Sequence, residues 1–155
     1  MAASVLLADD NPHARRMGTQ YLADLGYAVE AVSDGPAALA ALVAMSRQPP
    51  RLILTDAALP GLGVVLGGME LVRQVRAHPE WGTIPVLVMV GALSRVAEAE
   101  LAGADGVLRK PLSSAGLERW LPRTAAVGAA PTPPPELSPA EMLVLAVREA
   151  AQSER

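Results

Sequence analysis

Residues 4–12 read Ser-Val-Leu-Leu-Ala-Asp-Asp-Asn-Pro: a short apolar run that stops on two adjacent carboxylates, then an asparagine and a proline. Asparagine followed by proline is the chemistry of a helix start. The Asn11 side chain can cap orphan N–H groups, and Pro12 at the first helical position loses no hydrogen bond. A buried strand, an acidic strand end and a helix entry therefore lie within nine residues. The same sequence of events recurs along the chain. Further apolar runs read as strands at Ala28–Val32, Leu52–Thr55, Pro85–Val90 and Gly106–Leu108, after the first at Ser4–Ala8. Alanine- and leucine-rich stretches with helical spacing lie between and after them, at Pro12–Leu25, Pro36–Arg47, Gly68–Ala77, Ser94–Ala102 and Ser113–Leu121. Asp34-Gly35-Pro36 opens the second helix, Gly26 suits a left-handed exit from the first, and Pro79 after His78 stops the third.

Alternating strands and helices whose strands are apolar throughout imply a parallel sheet covered on both faces. The expected fold is α/β, a doubly wound five-stranded parallel sheet in the flavodoxin-like order 2-1-3-4-5. Such sheets bind ligands beyond the carboxyl ends of their strands. The first strand ends in Asp9-Asp10, the third in Asp56 and the fifth in Arg109-Lys110-Pro111. Three crowded carboxylates repel one another unless a cation sits among them. Oxygen ligands with open positions suit magnesium, which prefers sites completed by water and phosphate. A carboxylate beside magnesium and a lysine is equipped to attack a phosphoryl group and form an aspartyl phosphate.

Composition removes several alternatives. Zero cysteines exclude disulfides and thiolate metal sites, and His13 and His78 alone cannot build a histidine zinc centre. Both read as surface residues, and Trp81 reads as a packing anchor. A net charge of −3 offers no basic patch for nucleic acid. The longest late apolar run, Ile84–Leu93, is far too short for a membrane span, and Val5–Ala8 meets acid too soon for a signal peptide. A cytoplasmic protein is expected.

Each polar feature has a plain structural reading when taken alone. Asp9-Asp10 suits a helix N-terminus, Asp56 suits a turn, and Lys110 suits a solvated strand end. Their meeting at one sheet edge is what those readings fail to explain. In addition, "LLADDNP" at Leu6–Pro12, "LILTDAALPG" at Leu52–Gly61, "IPVLVM" at Ile84–Met89 and "GADGVLRKP" at Gly103–Pro111 resemble, in order, the signature blocks of response-regulator receiver domains. The resemblance implies that Asp56 is the phosphoacceptor, that Asp10 and Asp56 bind magnesium directly, that Asp9 acts through water, and that the Ala58 carbonyl completes the site. It also implies that Lys110 contacts the phosphoryl group through a chain whose Lys110–Pro111 bond is cis. The donor it implies is a phosphohistidine on a sensor histidine kinase or phosphotransfer protein.

Departures from the family surround that site. Receivers carry Ser or Thr where this chain has Val90, which has no hydroxyl to donate. A hydrogen bond to a charged group is worth ~1.5–3 kcal/mol, and only the Gly91 backbone N–H remains to contribute there. Tyr or Phe is replaced by Val107, so the usual coupled pair is apolar at both ends. Extra residues at Gly63–Gly67 lengthen the loop after Asp56 with the exposed-looking Val64-Val65-Leu66, and the stretch from Val90 to Lys110 is short.

The expected organisation is a receiver over residues 1–124, an Ala/Pro-rich linker over 125–137 and an amphipathic helix over 138–155. Ala125–Pro135 carries four prolines and no charge. Ser138-Pro139-Ala140-Glu141 matches a capping box, and Leu143, Val144, Val147, Ala150 and Ala151 form an apolar stripe. Such a helix is marginal alone and must dock on its own receiver, on a second copy as a homodimer contact, or on a partner. DNA binding by this chain is not expected. The leading reading is a phosphoacceptor that signals through a downstream protein partner. The second is a pseudo-receiver, an interaction module free of phosphate control. An aspartate-nucleophile phosphatase would need Asp-x-Asp after the first strand, which is absent, so no enzyme is expected.

Overall fold

The computed structural model describes residues 3–91 and 96–121. Strands and helices alternate as β1 (Ser4–Ala8), α1 (Pro12–Asp24), β2 (Ala28–Val32), α2 (Gly35–Ala44), β3 (Leu52–Asp56), α3 (Gly67–Ala77), β4 (Val86–Val90), α4 (Val96–Ala102), β5 (Gly106–Arg109) and α5 (Ser114–Trp120). All strand pairs are parallel and the sheet order is β2-β1-β3-β4-β5. This is the doubly wound sheet expected from the sequence. The linker and the C-terminal helix fall outside the described residues.

Strand composition follows from position. β3 and β4 are buried at every residue because helices cover both faces, whereas the edge strand β2 tolerates Glu30. The period of two along each strand divides the core. Leu6, Ile53, Val86, Val88 and Val90 point to one face, where they pack with Leu42, Met69, Val72, Val75 and Ala99. Val5, Leu7, Leu54, Leu87 and Met89 point to the other, against Leu22 of α1 and Leu117 of α5. Each such side chain contributes about 1.5–3 kcal/mol on burial.

The helix starts behave as their residues dictate. The Asn11 side chain accepts from the N–H groups of His13 and Ala14 at 2.9 and 3.1 Å, Asp34 from Ala37 at 2.7 Å, and Ser113 from Gly116 at 3.1 Å. Gly26 has φ 97°, as a left-handed helix exit requires. α2 stops at Ala44 rather than Arg47, because the chain must leave helical geometry before Pro49-Pro50. Pro85 lies just outside β4: lacking an N–H it contributes only its carbonyl, which accepts from Ile53 at 2.9 Å.

At the opposite end from the acidic edge, Arg76 ties three segments together. Its Nε donates to the Gly103 carbonyl at 2.9 Å, its Nη1 to the Ile84 carbonyl at 2.7 Å, and its Nη2 pairs with the Asp105 carboxylate. Asp105 also accepts the Val86 N–H at 2.7 Å. Asp105→Ala removes both partnerships and is expected to cost about 1–2 kcal/mol, the lower end reflecting solvent access to the pair. Urea unfolding checks it, and an unchanged midpoint would show that the tie contributes nothing.

Candidate functional site

The parallel sheet brings the carboxyl ends of all strands to one edge, and chain direction reverses between the β1 and β3 crossovers, where α/β sheets bind ligands. The register Ala8↔Thr55 sets Asp9 beside Asp56. Lys110 follows β5, anchored by its N–H to the Val90 carbonyl at 2.8 Å. Three strand ends thereby place four charged groups together.

Carboxylate oxygens of Asp9, Asp10 and Asp56 lie within 4.8 Å of one another. The Lys110 Nζ stands 2.9 Å from Asp9 Oδ2 and 3.2 Å from Asp56 Oδ2. Asp9 is only 1% exposed, and its Oδ1 accepts the Asn11 N–H at 3.0 Å. Asp56 is also buried, with its Oδ1 3.4 Å from the Ala58 N–H, while Asp10 and Ala58 face solvent. The Lys110–Pro111 peptide is cis. The Arg15 side chain donates to the Asp9 carbonyl at 2.7 Å, bracing this strand end from α1.

Partial burial works against the Lys110 charge, yet its hydrogen bond to Asp9 and the fields of Asp56 and Asp9 outweigh this and raise its pKa above 10.5. A raised folded-state pKa means that the ammonium stabilises the fold fully below the ordinary lysine value. That stabilisation is lost only as pH climbs through the raised one. Lys110→Met leaves buried carboxylates facing no cation and is expected to cost about 2 kcal/mol without divalent ions, below the 3–5 of a fully buried pair because Lys110 retains some solvent contact. The deficit is expected to stay flat from neutral pH to about 9 and to close at higher pH. Melting curves of both proteins across pH check it; a deficit that varies through neutral pH would contradict it.

Three carboxylates against one ammonium leave excess negative charge at a hard-oxygen site with one exposed carboxylate, and this donor set fits magnesium. Beside it lies a cavity of about 470 Å³ between α1 and the turn after β5, bounded by Asp9, His13, Met17, Met89, Lys110 and Leu112. Sequence reasoning missed Met17 as a wall of this cavity. The signal was its place one helical turn beyond His13, on the same face of α1.

Val90 and Val107 are both buried in the same apolar cluster, so no hydroxyl or aromatic ring stands at these positions. Gly91 is exposed, with open space where a Cβ would project. Two surface expectations change. Leu66 is half-buried and packs on the core at the start of α3, while Val64 and Val65 are exposed as expected. His78 is partly covered: its ring stacks on buried Trp81 with centroids 3.6 Å apart.

α3 is seated directly on the Asp56 segment. The Gly68 N–H donates to the Ala57 carbonyl at 3.0 Å. A Cβ at Gly67 would fall under 3.0 Å from the Leu59 carbonyl oxygen, and one at Gly68 equally close to that of Asp56. Neither glycine carries a charge, and the sequence pattern set Gly68 at the helix start and Gly67 in the loop before it, whereas the helix begins one residue earlier, at Gly67.

The fold and the clustered acids are those of a receiver-type signalling module. Residues 5–121 match the response regulator receiver domain family, and the chain belongs to that family, a module of two-component signalling. It is 31% identical over 120 residues to chemotaxis protein CheY-3 of Vibrio cholerae, covering 76% of this chain and 87% of that protein. Among solved structures it is similar to CheY4 of Vibrio cholerae, with TM-score 0.64 and 31% identity over 76% of this chain and 93% of the other. It is also similar to the receiver domain of sensor histidine kinase PA1611 from Pseudomonas aeruginosa, with TM-score 0.65 and 30% identity over 78% and 95%. That structure has a magnesium ion coordinated in its active site cleft. Among the described residues, no helix is long and apolar enough to cross a membrane.

Proposed function

We propose that the chain accepts a phosphoryl group on Asp56 from a phosphohistidine of a sensor histidine kinase or phosphotransfer protein, and signals through contacts with a downstream protein. The observation that carries this reading is the meeting of Asp9, Asp10, Asp56 and Lys110 at the β1/β3 edge. Asp10 and Asp56 would hold magnesium directly, Asp9 through water, and the Ala58 carbonyl would complete the set. Magnesium, when bound there, neutralises charge on the phosphoryl oxygens.

In the transfer, an Asp56 carboxylate oxygen bonds to phosphorus while the donor's N–P bond breaks and its electron pair returns to the imidazole. Lys110 stabilises charge building on the phosphoryl oxygens, and the exposed Gly91 N–H supplies a donor where Val90 offers none. The neighbouring cavity gives a donor side chain room to approach along α1. This is acceptance and release of one group rather than turnover of a substrate.

A pseudo-receiver is the second reading, favoured by the burial of Val90 and Val107 in one apolar cluster. Intact-mass spectrometry with acetyl phosphate and magnesium separates the two. A gain of one phosphoryl group is expected. No gain, while a control receiver is modified under the same conditions, would overturn the proposal and leave a pseudo-receiver.

A further inference from the structure

The loop between β3 and α3 leaves apolar surface uncovered. Val64 and Val65 are 50% and 88% exposed. They edge a cavity of about 420 Å³ whose other walls are Leu66 just before α3, Met69 and Arg73 of α3, and Glu98 of α4. We propose that this slot is filled by the chain's own C-terminal segment, Ser138–Gln152.

Three features of the sequence and structure favour that occupant over others. The first is need: Leu143, Val144, Val147, Ala150 and Ala151 form one apolar stripe, and a single helix of this length is marginal in water until the stripe is covered. The second is reach. The chain from Leu121 to Ser138 includes four prolines between Ala125 and Pro135 and, in extended form, spans roughly 50 Å at ~3.1 Å per residue. A domain of this size has a radius of gyration of only about 14 Å, so the segment can reach any face. A tether of this kind holds it at an effective concentration on the order of millimolar, ahead of untethered competitors.

The third is position. The cavity beside α1 is the less suitable berth, because it is walled by Asp9 and Lys110 and a phosphoryl donor must enter there. The β3–α3 slot leaves that approach open. Yet it touches the helix whose Gly67 and Gly68 pack on the Leu59 and Asp56 carbonyls. Docking would therefore be felt at the acidic edge, a consequence that rests on the phosphoacceptor reading although the docking itself does not.

The chain has no cysteine, so paired cysteines give an uncluttered test. In the full chain, Val147→Cys is combined in turn with Val65→Cys, Val43→Cys or Met17→Cys, all three at exposed positions whose replacement leaves the core intact. Under mild oxidation at low protein concentration, the Val65 pair is expected to close within one chain at least ~10-fold faster than the other two, in line with local rather than averaged concentration. Equal rates for all three pairs, or no closure, would overturn the proposal. Fastest closure at Met17 would place the segment on α1 instead, and covalent dimers of the Val65 pair that increase with concentration would make the occupant a second copy. Repeating the Val65 pair in an Asp56→Asn background is expected to give the same rate, which keeps failure of docking distinct from failure of phosphoryl acceptance.

Discussion

Asp56→Asn is expected to abolish phosphoryl gain from acetyl phosphate completely while leaving the melting temperature of the protein nearly unchanged. The amide offers no anionic oxygen to attack phosphorus, so the loss is one of chemistry rather than degree. No neighbour can take over. Asp9 has one oxygen on the Asn11 N–H and the other on Lys110, and it is sealed from solvent. Asp10 is accessible, but the Lys110 ammonium pairs with Asp9 and Asp56. The fold should tolerate the change because asparagine gives up the ion pair with Lys110 but keeps an acceptor for it and relieves repulsion among the carboxylates, so that loss and gain nearly cancel within about 1 kcal/mol. Intact mass and thermal melting of the same samples check both halves. Residual modification of the variant would mean that Asp56 is not the acceptor.

Gly68→Ala is expected to destabilise the fold by about 3 kcal/mol, a fall of roughly 10 °C in melting temperature. Helix propensity alone predicts the opposite, since alanine is favoured over glycine by about 1 kcal/mol within a helix. Contact decides against propensity here. The added Cβ would meet the Asp56 carbonyl oxygen and the backbone of Ala57, and backbone cannot rotate aside as a side chain can. α3 would have to lift away from β3, breaking the hydrogen bond from Gly68 to Ala57. Gly91→Ala, where nothing lies within reach of a Cβ, is the matched control and is expected to melt as the parent does. Denaturant unfolding measures both. A Gly68 variant as stable as its Gly91 counterpart would show that the Asp56–Leu59 segment yields freely.

Much of the fold was legible because period and punctuation agree. β1 and β2 fall where the apolar runs place them, and Asn11-Pro12 and Ser113 start helices by the caps their side chains make. Asp9, Asp10, Asp56 and Lys110 could be gathered in advance because a parallel sheet sends every strand end to one edge. Features that depend on close approach between distant segments were not legible. Nothing in Gly67-Gly68 reveals that a carbonyl lies against each Cα. Nothing in Arg76 reveals that it reaches Gly103, Ile84 and Asp105 at once. Leu66 looked exposed beside Val64 and Val65 because loop residues carry no periodicity to say which of them turns inward.

The division of the core by the sheet has a practical consequence. The chain's two tryptophans fall on opposite sides of it: Trp81 belongs to the layer of α2, α3 and α4, and Trp120 packs against the layer of α1 and α5. Each half of the molecule thus carries its own intrinsic fluorophore, one stacked on an imidazole and the other at the end of the last helix of the domain. Emission from single-tryptophan proteins can therefore follow the two layers separately, with no dye attached.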